Sequence, residues 1–232
     1  MVGMEMPVSP ETLVAPARGG VAVQDIVDRM QQHEANQLHA LKHYDAIRHY
    51  GVEYRGFGTT MAGKMDVEVD FDASSGKTFR ILSEKGSKFL CENVLKRAVE
   101  GEKEASRERE ATALTPVNYK FQLEKVEELN QRPAYVLDVE PLSVNKFLYR
   151  GRIWVDAQDF AVEKIEARPA KNPSLWISKT EIRYTSTKVS GFWLPEQNRS
   201  ETQVRIGGTA VLTIDYGNYQ DVSDSFVPSE GS

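Results

Sequence analysis

The stretch "YRGRIWVDAQDFAVEKIEARPAKNPS", residues 149–174, has the pattern of two β-strands joined by a tight turn. The first strand closes with Trp154 and Asp156, and the second opens with Phe160. Turn-forming residues between two runs rich in β-branched and aromatic side chains are typical of a β-hairpin. The stretch carries no evident nucleophile, metal-ligand cluster or phosphate-binding glycines. Its regularity therefore predicts a structural wall and not a catalytic site.

The same pattern continues along the C-terminal half of the chain. From Val117 onward one predicted strand follows another, and the separators are short and turn-like, at 128–132, 156–159, 171–173, 190–191 and 207–208. Short connections of this kind favour an antiparallel meander. Together with the earlier strands, the count is about ten, each of roughly ten residues.

The N-terminal half adds two helices and three strands. Helical spacing over 23–49 places an apolar stripe on one face, although Glu34 and Gln37 interrupt the stripe midway. Strands then flank a turn expected near Ala62 and Gly63, and a third strand follows "SSGK". A second amphipathic helix is predicted over 87–108. The apolar face of the first helix consists of Val23, Ile26, Val27, Met30, Leu41 and Tyr44, with Leu38 at its edge.

These elements predict an α+β fold. A large antiparallel sheet of about ten strands must curl, and two helices can cover its concave face. The expected architecture is an open, incomplete β-barrel over residues 21–220, with a flexible leader at 1–20 and a flexible tail at 221–232. The 232-residue chain shows no internal linker, so one domain is expected.

The order helix, three strands, helix, long meander resembles the periplasmic lipoprotein carriers of the LolA/LolB type, the outer-membrane lipoprotein-sorting proteins of bacteria. The pattern "YRGRIWVDAQDFAVEKIEA" is similar to a hairpin of that family, and "VSGFWLPEQNRSET" to its next step, a turn before an aromatic-Leu-Pro segment. The resemblance covers about residues 21–219. It implies an apolar cavity for acyl chains under a helical lid, and a periplasmic location with the signal peptide removed from this sequence.

The alternation of the strands predicts which side chains line the concave trough. Two residues of the second helix are added to the strand residues that point to the apolar face. A sheet this wide with only two helices above it favours a trough that a lipid chain completes. The expected lipid-binding residues are Val67, Val69, Phe71, Phe79, Ile81, Leu90, Val94, Tyr119, Phe121, Leu123, Tyr135, Leu137, Val139, Phe147, Tyr149, Leu212, Ile214 and Tyr216.

Composition and motifs argue against several other function classes. A net charge of −5 gives no general attraction to nucleic acid. Cys91 is the single cysteine and falls within an apolar stripe, where it is expected to act as a small hydrophobe. His39 and His43 are spaced as helical metal ligands, but they should face solvent, so no metal site is expected. Gly76-Lys77-Thr78 lacks the rest of a phosphate-binding loop and is interpreted as a hairpin turn.

The leading hypothesis is a non-enzymatic, monomeric carrier without a cofactor. It would take up a lipid or the acyl chains of a lipoprotein and release them to a membrane or a membrane-associated acceptor, having received them from a donor. The alternative is a sensor or protein-interaction module on the same fold that regulates a partner protein. An enzyme is the least supported reading, and a cluster of titratable side chains inside the trough would revive it.

Overall fold

In the computed structural model, residues 21–145, 147–171, 177–205 and 207–224 are described. Their strands form one ten-stranded antiparallel sheet, so the predicted fold class, an open incomplete barrel with helices, is confirmed. The strands are β1 Leu41–Gly56, β2 Thr59–Asp72, β3 Gly76–Gly86, β4 Tyr119–Leu129, β5 Arg132–Pro141, β6 Tyr149–Asp156, β7 Val162–Pro169, β8 Ile177–Val189, β9 Phe192–Val204 and β10 Thr209–Asp224.

The spatial order of the strands is β3-β2-β1-β10-β9-β8-β7-β6-β5-β4. The first and last strands of the chain are therefore neighbours in the middle of the sheet, and β3 and β4 are its two edges. Three hairpins turn through two residues that both have positive φ, as in the turns that match strand twist. These pairs are Phe57-Gly58, Asn130-Gln131 and Ser190-Gly191.

Helices cover the concave face from two directions. Helix α1, Val23–Ala40, precedes the sheet. The connection from β3 to β4 is helical as well, with α2 Lys88–Leu90, a π-helical turn Cys91–Leu95, α3 Lys96–Arg107 and α4 Arg109–Thr112. Ser87 caps the start of this second helical segment, because its hydroxyl oxygen accepts a hydrogen bond from the backbone N–H of Leu90.

The predicted first helix over 23–49 is too long. Residues 41–56 are strand β1, and Leu41 and Tyr44 belong to this strand and not to a helical stripe. Alternate residues of β1 are buried from Tyr44 to Val52, and both edges of the strand pair with neighbours, β2 and β10. Pairing on both edges overrides the helical spacing, and Gly51 is a poor helix residue in any case.

The turn expected near Ala62 and Gly63 is also wrong. The chain turns at Phe57-Gly58, and Gly63 lies inside β2. A Cβ atom added to Gly63 would lie 3.3 Å from Cys91 Sγ and 3.4 Å from Leu90 Cβ. The glycine therefore lets α2 approach the sheet closely, which explains its presence without a turn.

Two apolar clusters fill most of the concave face. The first lies under the second helical segment and joins β1, β2, β9 and β10 to Leu90, Leu95 and Val99. The second lies under α1, where Ile26 and Met30 pack against strands β4 to β7. Each helical cover thus has its own core, and a space is left between them.

The hairpin of residues 149–169 has the expected two strands, and hydrogen bonds explain its turn. Asp156 is fully buried and accepts hydrogen bonds from the backbone N–H groups of Gln158 and Asp159. Arg132, from the neighbouring turn, donates to both carboxylate oxygens of Asp156 at 2.6 and 2.8 Å. Trp154 lies on the convex face, where its indole donates to Glu127 and Lys164 lies 4.3 Å from the ring centroid. The residues of this turn thus form hydrogen bonds that hold the hairpin in place, in agreement with the structural role predicted for it.

Three predicted segments reach beyond the described residues. The leader at 1–20 and the part of the separator at 172–173 lie outside them. Strand β10 runs to Asp224, so the tail predicted to begin at residue 221 starts with four strand residues, and 225–232 lie outside the described part. The assignment of 21–220 to a single domain stays a prediction.

Candidate ligand cavity

A cavity of about 410 Å³ lies where the two helical covers leave the concave face bare. One wall is the second half of α1, and the other is the segment from the end of α3 to Leu114. Strands β6 to β9 form the floor. The lining residues are Met30, His33, Glu34, Gln37, Leu38, Lys77, Ser106, Arg109, Thr112, Ala113, Leu114, Tyr149, Phe160, Ala161, Val162, Ile165, Tyr184, Ser186 and Trp193.

The wall formed by α1 is fastened to the sheet by a pair of hydrogen bonds. The Gln37 amide donates to the backbone oxygen of Trp193 at 2.9 Å, and the backbone N–H of Trp193 donates back to Gln37 Oε1 at 2.8 Å. Near the middle of the helix, the Arg29 guanidinium lies 5.0 Å from the centroid of the Phe160 ring. The buried apolar residues of α1, namely Ile26, Val27 and Met30, all lie in its first half.

Two titratable residues of α1 face the cavity with perturbed pKa values. Burial lowers the pKa of His33, against the opposing effect of Asp159, so the imidazole is held in its neutral form. The Nε2 atom of His33 is buried and has no hydrogen-bond partner among the described residues. Loss of hydration raises the pKa of Glu34, although Arg109 partly offsets the effect. Both shifts indicate that this part of the cavity favours uncharged groups.

The floor of the cavity is formed by neutral aromatic and aliphatic side chains. Burial raises the pKa of Tyr149 and of Tyr184, so both phenols stay protonated. The two serine hydroxyls are already used, since Ser106 donates to the Lys103 carbonyl and Ser186 to the Val162 carbonyl. A nucleophile would instead be hydrogen-bonded to a base such as His33. The arrangement therefore suits binding better than nucleophilic catalysis.

The residues predicted to line the trough are mostly packed under the helices. Val67, Val69, Phe71, Phe79, Leu90, Val94, Leu212, Ile214 and Tyr216 belong to the first apolar cluster. Tyr119, Phe121, Leu123, Tyr135, Leu137, Val139 and Tyr149 belong to the second. Ile81 is 41% exposed, and Phe147 precedes β6, where its neighbour Leu148 is buried instead. Only Tyr149 also lines the cavity, so the binding role of the whole set stays a prediction.

Sequence reasoning did not identify the α1 side of the cavity, although a signal was present. Glu34 and Gln37 interrupt the apolar stripe of the predicted helix, and both turn out to face the cavity. Polar residues on the buried face of an amphipathic helix indicate that the helix does not pack on a solid core there. The opposite wall, around Ala113, has no comparable pattern.

A second finding without a sequence prediction is a charge pair under α3 between a buried arginine and a partly exposed glutamate. Arg48, on the concave face of β1, is 1% exposed and pairs with Glu102 of α3. The Tyr50 hydroxyl donates to Glu102 at 2.7 Å, and the Tyr216 ring lies 4.8 Å from the Arg48 guanidinium carbon. Burial disfavours the charged form of Arg48, but Glu102 and the surrounding tyrosines raise its pKa above the ordinary value. Arg48 is therefore always charged.

The turns at one end of the sheet carry a second polar network. Asp159 accepts hydrogen bonds from Arg132 at 3.1 Å, Lys188 at 2.8 Å and the Trp193 indole at 2.9 Å. The network joins the turns β4–β5, β6–β7 and β8–β9, and it lies close enough to His33 to affect its pKa. We call Arg132, Asp156, Asp159, Lys188 and Trp193 the turn network.

The metal-ligand spacing considered for His39 and His43 does not occur on a helix, because α1 ends at Ala40 and His43 lies in β1. His43 instead stands beside Asp45 and Asp70, and one ligand atom from each lies within 4.8 Å of the others. One imidazole and two carboxylates are donors that divalent transition metals accept. Exposed groups of this kind are common without an ion, and the cluster alone does not define a site.

Comparisons with known proteins find similarity in structure only. No protein-family model and no curated protein matches this chain. Among solved structures, a LolA superfamily protein from Nitrosomonas europaea is 13% identical, with 90% of this chain and 96% of that chain covered and a TM-score of 0.38. An outer membrane lipoprotein-sorting protein domain from Vibrio parahaemolyticus is 11% identical, with 88% and 94% covered and a TM-score of 0.42.

A DUF1329 family protein from Desulfovibrio piger is 14% identical, with 88% of this chain and 92% of that chain covered and a TM-score of 0.40. The solved structures that match this chain thus include LolA-type proteins, the family that the sequence resembles. Identities and TM-scores this low identify neither a ligand nor a partner for this chain. No helix among the described residues is long and apolar enough to cross a membrane.

Proposed function

We propose that the protein is a non-enzymatic carrier that holds the apolar chain of a lipid or of an acylated lipoprotein in the cavity between α1 and α4. The observation that carries the proposal is the cavity itself. Its volume of about 410 Å³ falls in the range of ordinary ligand pockets, about 300–1,000 Å³. The floor contributes Phe160, Val162 and Ile165, and an acyl chain gains about 0.8 kcal/mol for each buried CH₂ group.

Entry and release would follow from the way α1 is attached. Its first half is anchored by buried apolar residues, whereas its second half is held by the Gln37–Trp193 pair of hydrogen bonds. Breaking two hydrogen bonds costs little net free energy, about 1 kcal/mol each. The second half of α1 can therefore move away from the floor while the first half stays in place, and binding stays reversible.

A larger cargo requires a larger opening. The trough residues predicted from the sequence lie under both helical covers, so an acyl chain would reach them only when α1 or α3 moves away from the sheet. We propose that a cargo with several chains, such as a lipoprotein, uses these residues in addition to the cavity. A periplasmic location, and transfer from a membrane-associated donor to an acceptor, are part of this proposal and rest on the family resemblance of the sequence.

The experiment is native mass spectrometry of protein purified without detergent, before and after organic extraction, followed by titration with a fluorescent fatty acid. A bound species of lipid mass that is lost on extraction is expected. Ala113→Trp fills the cavity from its rim and should abolish fatty-acid binding. Ala111→Trp, in α4 and outside the lining, is the matched control. A wild-type protein that stays in the apo mass after incubation with fatty acid and phospholipid would exclude the carrier function.

A second candidate function is favoured by the two edges of the sheet. Strands β3 and β4 each have one unpaired edge, to which an extended segment of a partner protein can add a strand. Exposed apolar side chains lie on both strands, Ile81 and Leu82 on β3 and Val126 on β4. The protein would then be a sensor that regulates its partner. Photocrosslinking from Val126, but not from Arg152 on the convex face, would support this function.

A further inference from the structure

A second pocket adjoins the cavity and has a different charge. It has a volume of about 360 Å³ and lies between the β2–β3 turn and the C-terminal half of α3. Lys77, Ser106 and Arg109 line both this pocket and the cavity, so the two spaces share a border. Its complete lining is Ser75, Gly76, Lys77, Thr78, Phe79, Lys103, Ser106, Arg107 and Arg109, and we call it the cationic pocket.

The lining of the cationic pocket is positively charged, although the chain as a whole has a net charge of −5. The chain has 34 acidic and 29 basic residues, yet the lining of this pocket contains four basic side chains and no carboxylate. Lys103 pairs with Glu100 at 2.7 Å and also lies over the Phe79 ring. Lys77, Arg107 and Arg109 form no ion pair with any residue in the described part of the chain. Three cations without an ion pair therefore converge on one space, and of these Arg109 also lies close enough to Glu34 to partly offset the raised pKa of that carboxyl.

Local backbone geometry brings two of these cations to the pocket. The chain leaves α3 at Glu108, where φ is −99° and ψ is 42°, and starts α4 at the next residue. Arg107 ends α3 and Arg109 begins α4, and both line the pocket. Basic residues close to the C-terminus of α3 also interact favourably with the helix dipole. That effect accounts for Arg107, but not for Lys77, which reaches the pocket from β3.

We propose that the cationic pocket binds the phosphate or carboxylate head group of an anionic amphiphile whose apolar chain lies in the cavity. This inference rests on the proposed function, because it assigns the head group of the same ligand. Guanidinium and ammonium groups donate charge-assisted hydrogen bonds to an oxyanion, and these are about twice as strong as neutral ones. The hydroxyl of Thr78, which also lines the pocket, supplies a further donor. The apolar cavity provides affinity, and the cationic pocket selects ligands with a negative head group.

The test uses isothermal titration calorimetry with dodecyl phosphate, dodecanoate, dodecanol and inorganic phosphate. The variant is Lys103→Gln/Arg107→Gln, which removes two cations that line the cationic pocket and not the cavity. The control is Lys88→Gln/Arg97→Gln, which removes the same charge from exposed positions of the same helical segment. Thermal unfolding of each variant without ligand shows that it is folded.

We expect the wild-type protein to bind dodecyl phosphate and dodecanoate about tenfold more tightly than dodecanol. The pocket variant should lose most of this preference and keep its affinity for dodecanol, and the control variant should behave as wild type. The preference should also shrink with added salt. Equal affinity of the wild-type protein for dodecanol and both anionic ligands would overturn the proposal while leaving the carrier function intact.

Two other outcomes are distinguishable. Inorganic phosphate that binds as tightly as dodecyl phosphate would show a site for free anions, and would overturn the assignment to a lipid head group. If none of the three amphiphiles binds to the wild-type protein, the proposed carrier function fails, and the inference fails with it.

Discussion

The two halves of the concave face are covered by helices that are held in different ways. Under α3 the contact between helix and sheet contains a charge pair, the buried Arg48 with the partly exposed Glu102. Under α1 the buried residues of the cluster are apolar, and the Arg29 guanidinium only lies over the Phe160 ring at its border. The contact of α3 with the sheet thus includes a charge pair, whereas the second half of α1 is held by hydrogen bonds at the edge of the cavity.

This difference indicates which of the two helices can move away from the sheet more easily. Separating α3 from the sheet would break the Arg48–Glu102 pair and the hydrogen bond from Tyr50, and it would expose apolar side chains such as Leu95 and Val99 to water. Separating the second half of α1 breaks only the hydrogen bonds of Gln37 and exposes side chains that already face a cavity. The structure thus predicts that the second half of α1, which we call the gate, opens at lower cost than α3.

The largest expected effect on stability comes from breaking the Arg48–Glu102 pair. Glu102→Ala leaves Arg48 buried and unpaired, and we expect a loss of about 3–5 kcal/mol in the free energy of unfolding, measured by urea titration. The double variant Arg48→Met/Glu102→Leu, which replaces the pair with apolar side chains, should recover most of this loss. Glu100→Ala, on the exposed side of α3, is the control and should change stability by less than about 0.5 kcal/mol. If Glu102→Ala lowers the free energy of unfolding no more than Glu100→Ala does, the Arg48–Glu102 pair does not stabilise the contact of α3 with the sheet.

Removing the centre of the turn network should have the next largest effect. Asp156→Ala deletes the acceptor of Arg132 and of two backbone N–H groups, and we expect a loss of about 2–4 kcal/mol. Burial opposes ionisation of Asp156, but the bonds from Arg132 and from the Asp159 N–H lower its pKa overall. The stabilisation is therefore present above the ordinary Asp pKa and is lost as the pH falls through the lowered value.

Urea titrations of the wild-type protein and Asp156→Ala at several pH values check this sign. The difference between the two proteins should be full at pH 7 and should shrink in the acid range. Asp138→Ala, on β5 and outside the network, serves as the control. A difference that is the same at pH 7 and in strong acid would show that the carboxylate charge plays no part.

Releasing the second half of α1 should have a smaller effect on stability, but a clear effect on how often this part of the helix opens. Gln37→Ala removes both hydrogen bonds to the Trp193 backbone and should lower the free energy of unfolding by about 2 kcal/mol. Amide hydrogen exchange in residues 31–40 should become faster, whereas exchange in 96–107 should not change. Gln31→Ala is the matched control, because the Gln31 side chain donates its hydrogen bond within its own helix, to the Val27 carbonyl. Equal acceleration in both helices would mean that α1 and α3 open together.

The smallest expected effect concerns a carboxylate in β7. Glu163 is 4% exposed and accepts a hydrogen bond from Asn130, but its other oxygen has no partner in the described part of the chain. Burial raises the pKa of Glu163, so its charge costs stability as the pH rises above the ordinary Glu pKa. Glu163→Gln should stabilise the protein by up to about 1 kcal/mol at pH 7 and by nothing below the ordinary Glu pKa. A thermal-unfolding series over this pH range would contradict the idea if the gain were independent of pH.

The strands were readable from the sequence because they leave a strong local signal. Alternation in residues such as Met65, Val67 and Val69, together with two-residue turns, predicted the meander and the number of strands. The boundary at Ala40 was not readable, because residues 41–49 carry helical spacing and strand alternation at once. Only the pairing of β1 with β10, at the other end of the chain, decides between them.

The candidate site was harder to predict for a similar reason. The trough residues follow from alternation within single strands, which says which face a side chain occupies but not what covers it. The cavity depends on where α1 and α4 come to rest, and its residues come from eight separate segments. The buried Arg48 could not be found either, because the sequence placed it in a helix over 23–49 and arginine is seldom buried.

The position of β10 has a consequence for how the molecule is made. This strand is the last of the ten in the chain, yet it fills the middle of the sheet, between β1 and β9. During synthesis the strands β1 to β3 and β4 to β9 can form two separate hairpin arrays, each with an open inner edge, and only β10 can join them. Contacts between such distant parts of a chain form slowly, and open edges invite wrong pairing in the meantime. The joining of the two arrays is thus expected to be the late, slow step of folding, and the period before it the time when a chaperone matters most.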